Sequence, residues 1–163
     1  MNGDLGNRYQ EAFALNEIGV LQRLAGDYPA AAASHQQALR LFCDAGEPYG
    51  QACVLNSLGE LASRTSATGQ ARDHHGQALA IARDIGAPLE EARALEGIGQ
   101  SYLQDGNTSW ATTHLRDALA IYQRIGSPAA QRVKETLRQY GPDPTPPQPA
   151  TTRHPVNRRR RLQ

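Results

Sequence analysis

The chain has 163 residues, of which 39% are hydrophobic and 6% aromatic, with a formal net charge of +1. That length suits one ordinary domain, and the absence of any run of 18 apolar residues excludes a membrane-spanning helix. Residues 1–140 hold 12 basic against 15 acidic side chains, whereas residues 141–163 hold five arginines against Asp143 alone, so an acidic body and a basic tail are read separately.

Other compositional features set the class. The first ten residues lack the apolar stretch of a secretory signal. Cys43 and Cys53 lie ten apart with no C-x-x-C spacing, which favours reduced thiols in a cytoplasmic protein over a disulfide or metal site. Lys134 is the only lysine among 17 basic residues, and with the alanine richness this reads as GC-rich, bacterial coding.

In chain order, the first element is a fragment. Gly6 begins a column that recurs at Gly46, Gly86 and Gly126, a spacing of 40 residues with no insertion. Four further columns share the period: Gly19, Gly59, Gly99; Ala31, Ala71, Ala111; Ala38, Ala78, Ala118; and Pro48, Pro88, Pro128. A fixed period of this length marks a stacked repeat array. Residues 1–7 then read as the remnant of a preceding repeat, so the pattern starts partway through, as in an array cut from a longer one.

Repeats follow at about 8–46, 47–86 and 87–126, each predicted to hold two amphipathic helices. In the first helix Ala12, Leu15, Ile18, Gly19 and Gln22 keep helical spacing, as do Ala52, Leu55, Leu58, Gly59, Ala62 and Ala92, Leu95, Ile98, Gly99, Tyr102. The second helices carry Ala38, Leu39, Leu41, Phe42, then Ala78, Leu79, Ile81, then Ala118, Leu119, Ile121, Tyr122. A mid-helix glycine costs about 1 kcal/mol against alanine, so the Gly19 column implies a close approach, with Ala31, Ala71 and Ala111 as the facing small residues. Asp27 and Asn107 are predicted N-caps. The Gly-x-Pro turns supply a left-handed C-terminal residue and then a helix-opening proline. The second repeat is the weakest, with Ser66-Ala67-Thr68-Gly69 at its inner turn and Gly76 interrupting its second helix, and is expected to be the most mobile.

Residues 127–140 read as one capping helix through Val133, Leu137 and Tyr140. From Gly141 the prolines at 142, 144, 146, 147, 149 and 155 and the scarcity of apolar residues predict a disordered tail.

The Leu-x-x-Leu/Ile-Gly motif, with an alanine 12 residues after the glycine and another 7 further on, resembles the tetratricopeptide repeat. It reads Leu15, Ile18, Gly19, Ala31, Ala38 in the first period and recurs in the next two. The 40-residue unit resembles the longer subtype of kinesin light chains, Leu-Gly-Asn proteins and C-terminal arrays of bacterial nucleotide-binding transcriptional regulators. The stretches Ala14–Gly19 and Val54–Gly59 most resemble the last of these. The resemblance implies an all-α, right-handed superhelical solenoid of three helix pairs plus a capping helix. It also implies a protein- or peptide-binding module, a fragment or stand-alone relative of the sensor or scaffold array of a bacterial signalling or transcriptional regulator. Tetratricopeptide domains that clamp a chaperone's C-terminal carboxylate use lysines and asparagines, and the repeats here contain no lysine, which argues against that activity.

The partner-binding groove is expected along the first helices, on Phe13, Asn16, Val20 and Arg23, then Asn56 and Glu60, then Arg93, Glu96 and Gln100. Asn16 and Asn56 share a column, and an amide both donates to and accepts from a peptide backbone; the alternative is a polar residue bonding a neighbouring helix. His35 and His75 share another column, as do His74 and His114, but none forms an i, i+4 metal pair, so packing or solvation is expected. Trp110 is read as a packing residue. No nucleophile–base set or phosphate loop is present, so neither an enzyme nor a cofactor is expected. Self-association through the solenoid ends near Leu5 and Leu137 is an alternative. A second is nucleic-acid binding through Arg158, Arg159, Arg160 and Arg161, although no aromatic residue follows Tyr140 to stack on bases.

Overall fold

The computed structural model describes residues 2–140. They form seven α-helices in sequence: α1 (Asn2–Leu24), α2 (Tyr28–Ala45), α3 (Pro48–Arg64), α4 (Thr68–Ile85), α5 (Pro88–Gln104), α6 (Thr108–Arg124) and α7 (Ala129–Tyr140). Each helix packs chiefly on its neighbours in sequence, as α1 on α2, α3 on α4 and α5 on α6, with additional contacts of α1 on α3 and α3 on α5. The expected all-α helix-pair solenoid is therefore the architecture. No helix among the described residues is long and apolar enough to cross a membrane.

Turn chemistry explains the helix limits. Gly46, Gly86 and Gly126 take the left-handed conformation, at φ +65°, +65° and +68°. Pro48 and Pro88 open the helices that follow, where a missing amide proton costs nothing. Asp27 accepts from the Ala30 amide at 3.2 Å and Asn107 from the Trp110 amide at 3.4 Å, as N-caps should. Gly6 lies inside α1, whereas Gly46, Gly86 and Gly126 of its column stand at turns. One expectation is corrected. Gly76 sits within α4 without breaking it, and a Cβ there would meet nothing within 4 Å.

The glycine column packs differently from the expectation. A Cβ on Gly19 would lie 2.6 Å from the His35 ring, and one on Gly59 would strike the His75 ring in the same way. The imidazoles of the second helices thus fill the glycine notches, rather than Ala31 and Ala71. At Gly99 the counterpart is Leu115, with the Ala111 carbonyl 3.2 Å away. In the middle pair α3 is buried without a break from Ala52 to Gly59, because helices cover it on both sides. Its inner turn does lack a glycine, and Ser66 takes φ +58° where the other pairs use Gly26 and Gly106.

Apolar residues gather between successive helices. Ala12, Ala38, Phe42, Val54 and Leu58 form one cluster, while Ala92, Leu95, Leu115, Ala118, Tyr122 and Val133 form another that carries α7.

Candidate protein-binding groove

The first helices α1, α3 and α5, with α7, line a groove holding a cavity of about 360 Å³. Arg23 comes from α1, Glu60, Ser63 and Arg64 from α3, Arg93, Glu96, Gly97 and Gln100 from α5, and Arg132 from α7; His75 contributes from α4. The 40-residue period produces this alignment, since it returns equivalent positions to the same side of successive first helices.

Ion pairs crosslink the groove. Glu60 accepts from Arg23 at 3.1 Å with one oxygen and from Arg93 at 2.8 Å with the other. Arg93 also donates to Glu90 at 3.0 Å. Burial works against the Arg93 charge, but Glu90 and Glu60 outweigh it and hold the guanidinium protonated. Farther along, Arg132 donates to both oxygens of Glu96 at 2.8 Å, a two-pronged contact that fixes the planes of both groups. Tyr122 donates to Glu96 at 2.9 Å. Its phenol pKa is raised, by burial first and then by the Glu96 charge.

Beneath the ion pairs lies a polar layer out of reach of a partner. Asn56 is 0% exposed and Asn16 6%. The Asn56 amide donates to the Glu90 backbone carbonyl at 3.1 Å and its carboxylate at 2.9 Å. Its oxygen, 2.9 Å from Nδ1 of His75, accepts the remaining bond. Asn16 pairs with Nδ1 of His35 at 2.9 Å in the same way. Burial pushes the pKa of both histidines down to about 4, so both rings are neutral at pH 7. A neutral ring that donates from Nδ1 keeps its lone pair on Nε2, and both Nε2 atoms are buried without a partner.

These positions divide the expected site residues. Glu60, Arg93, Glu96, Gln100 and Arg23 come together along the groove. Asn16 and Asn56 do not lie on an exposed stripe: the neighbouring helices cover them, and their amides bond His35, His75 and Glu90. Phe13 turns to Phe42, edge-on at 4.8 Å, and also meets Tyr9. Val20 is half-buried and outside the cavity lining. Cys53 is buried, its thiol pKa pushed up to about 12 by burial, whereas Cys43 is exposed. Trp110 is 57% exposed, lying over Tyr102 at 6.2 Å rather than in the core. Leu5 and the arginines at 158–161 fall outside the residues whose side chains are described.

Sequence reasoning missed Arg64, Arg132 and the buried Glu90. Arg132 occupies the column of the core alanine Ala92, and that break in pattern was its one available signal. Gly97 was missed too. Its column holds Glu17 and Ser57, and the change to glycine marks where the His75 ring presses on α5.

A stack of antiparallel helix pairs, with one charged groove along its first helices, defines a helical-repeat solenoid. More particularly, residues 49–124 match the family model of the tetratricopeptide repeat, and the fold is a solenoid of that type. Among solved structures, the N-terminal domain of stress-induced protein-1 (STI-1) from C. elegans is 17% identical. It superposes with a TM-score of 0.61 over 78% of this chain and 95% of that one. BtubC (BKLC) from P. vanneervenii is 20% identical, with a TM-score of 0.61, over 82% of this chain and 50% of that one. At such identities the likeness establishes the fold. No curated protein matches in sequence.

Proposed function

We propose that the chain is a protein- or peptide-binding module, taking an extended partner segment along the groove of the first helices, with an acidic side chain opposite Arg64. The observation that carries this reading is the charge arrangement. Arg23, Arg93 and Arg132 are held by Glu60 and Glu96, while Arg64 lines the same cavity and has no ion-pair partner among the described residues. Fixed charges on packed helices lose little freedom on binding, which favours recognition. The resemblance of Ala14–Gly19 and Val54–Gly59 to bacterial regulator arrays supports a cytoplasmic setting in signalling or transcriptional regulation.

The test is to select peptides from a displayed random library on the immobilised full chain and measure their binding by fluorescence anisotropy. A charge-assisted contact is worth about 1.5–3 kcal/mol, so Arg64→Glu is expected to weaken the selected acidic peptides by at least about tenfold. Peptides that bind Arg64→Glu as tightly as the unaltered chain would overturn the assignment.

A further inference from the structure

At the first joint of the array, where the first helix pair meets the second, α2, α3 and α4 border another cavity, of about 350 Å³. Leu58, Leu61 and Ala62 of α3 give it an apolar, buried base. From α2 come Tyr28 and Ala32, and from α4 come Gln70 and His74. The cavity shares no lining residue with the groove of the first helices.

The 40-residue period shows what the same place holds at the second joint. Ala62 becomes Tyr102, Ala32 becomes Arg72 and Gln70 becomes Trp110. There the Tyr102 ring stacks on Trp110 at 6.2 Å, and the Arg72 guanidinium lies 4.8 Å from its centre. The two large side chains that meet at the second joint are thus both alanine at the first, and the cavity lies where they are missing. His74 bears the same mark. Its Nδ1 is buried without a partner, whereas Nδ1 of the equivalent His114 donates to the Trp110 carbonyl at 2.8 Å.

The lining selects a ring over a guanidinium. Arg72 is held by Asp105 at 2.6 Å, but Thr65 stands at the equivalent position of the cavity and offers no counter-charge. Burial, opposed by Asp73, lowers the His74 pKa, so this ring is neutral at pH 7. An uncharged aromatic group suits such a lining, and its burial against Leu58 and Leu61 is favourable. A phenolic hydroxyl both donates and accepts, so it can satisfy the His74 nitrogen in either tautomer. Residues 141–163 contain no Phe, Tyr or Trp, so that segment cannot supply the ring. We propose that the cavity at the first joint binds a tyrosine side chain of a partner polypeptide, in the place that Tyr102 fills at the second. The site stands apart from the groove and holds whether or not that groove takes a peptide.

Methyl NMR on the full chain, titrated with N-acetyltyrosinamide, tests the proposal. The Ala32 and Leu61 methyl signals are expected to shift along a saturating curve, with N-acetylleucinamide binding at least about tenfold more weakly. Ala62→Tyr supplies the ring from the chain itself, and should abolish the saturating shifts with the helical circular dichroism unchanged. Ala32→Arg fills the same space from α2 and should do likewise, so the test does not hang on one variant folding. Shifts that never saturate in the unaltered chain, equal binding of the two amides, or binding that persists in both variants would overturn the proposal. So would a site that takes p-cresol but not the capped tyrosine, because its occupant would then be a free phenol rather than a side chain.

Discussion

An asparagine amide has two protons to donate and an oxygen to accept with, and at Asn56 every one of these is satisfied by Glu90 or His75. Removing it leaves a buried carboxylate and a buried imidazole N–H each short of a bond, which costs about 2–4 kcal/mol in total. Asn16 makes only the bond to His35, so Asn16→Ala should cost about half as much. Urea unfolding at neutral pH measures both; equal losses would remove the basis for treating Asn56 as the keystone of the layer. The alignment of Asn16 with Asn56 and of His35 with His75 was legible in the sequence, as was the glycine column. What could not be read was that these columns complete one another. Reading one helix at a time shows a polar residue beside a core face, whereas its burial depends on a third helix whose Glu90 lies 34 residues away.

At the level of the helix, glycine has two opposite meanings here. Gly76 lies mid-helix in open space and contributes only its conformational freedom, so Gly76→Ala should stabilise the fold by about 0.5–1 kcal/mol. Gly97 is also mid-helix, but a methyl group there would enter the van der Waals envelope of the His75 ring, so Gly97→Ala should destabilise by about 1–3 kcal/mol. Thermal midpoints that move in opposite directions support this account; a shared direction would refute it. The helices, their caps and their turns were readable because they depend on local chemistry: Asp27, Asn107 and the Gly-x-Pro turns act within a few residues of themselves. The role of Gly76 was misread because a glycine's cost depends on what faces it, and that is a tertiary fact.

Across the whole molecule, the buried imidazoles tie stability to acidity. The unfolded chain takes up a proton on each histidine near pH 6.5, while burial holds His35 and His75 unprotonated in the folded state down to about pH 4. For His75, Glu60 and Glu96 favour the proton and Arg93 and His74 oppose it, but desolvation outweighs them all. The unfolded state therefore binds more protons throughout this window. Stability is complete above about pH 6.5 and falls as the pH drops towards 4, by on the order of 3 kcal/mol for each ring at most. Urea midpoints taken at intervals between these limits should fall steadily, and His75→Gln should keep only the part of that slope due to His35; a slope unchanged from that of the unaltered chain would exclude a contribution from His75. The same ring bears on how the array can lengthen. His75 is wedged between Gly59 of its own pair and Gly97 of the next, yet the position equivalent to Gly97 one repeat earlier is Ser57. Tandem duplication of residues 47–86 would put serine in the place of Gly97, the combination that the columns of His35 and Ser57 already hold at the first joint, so a copied middle unit would meet a neighbour of a kind this array already contains.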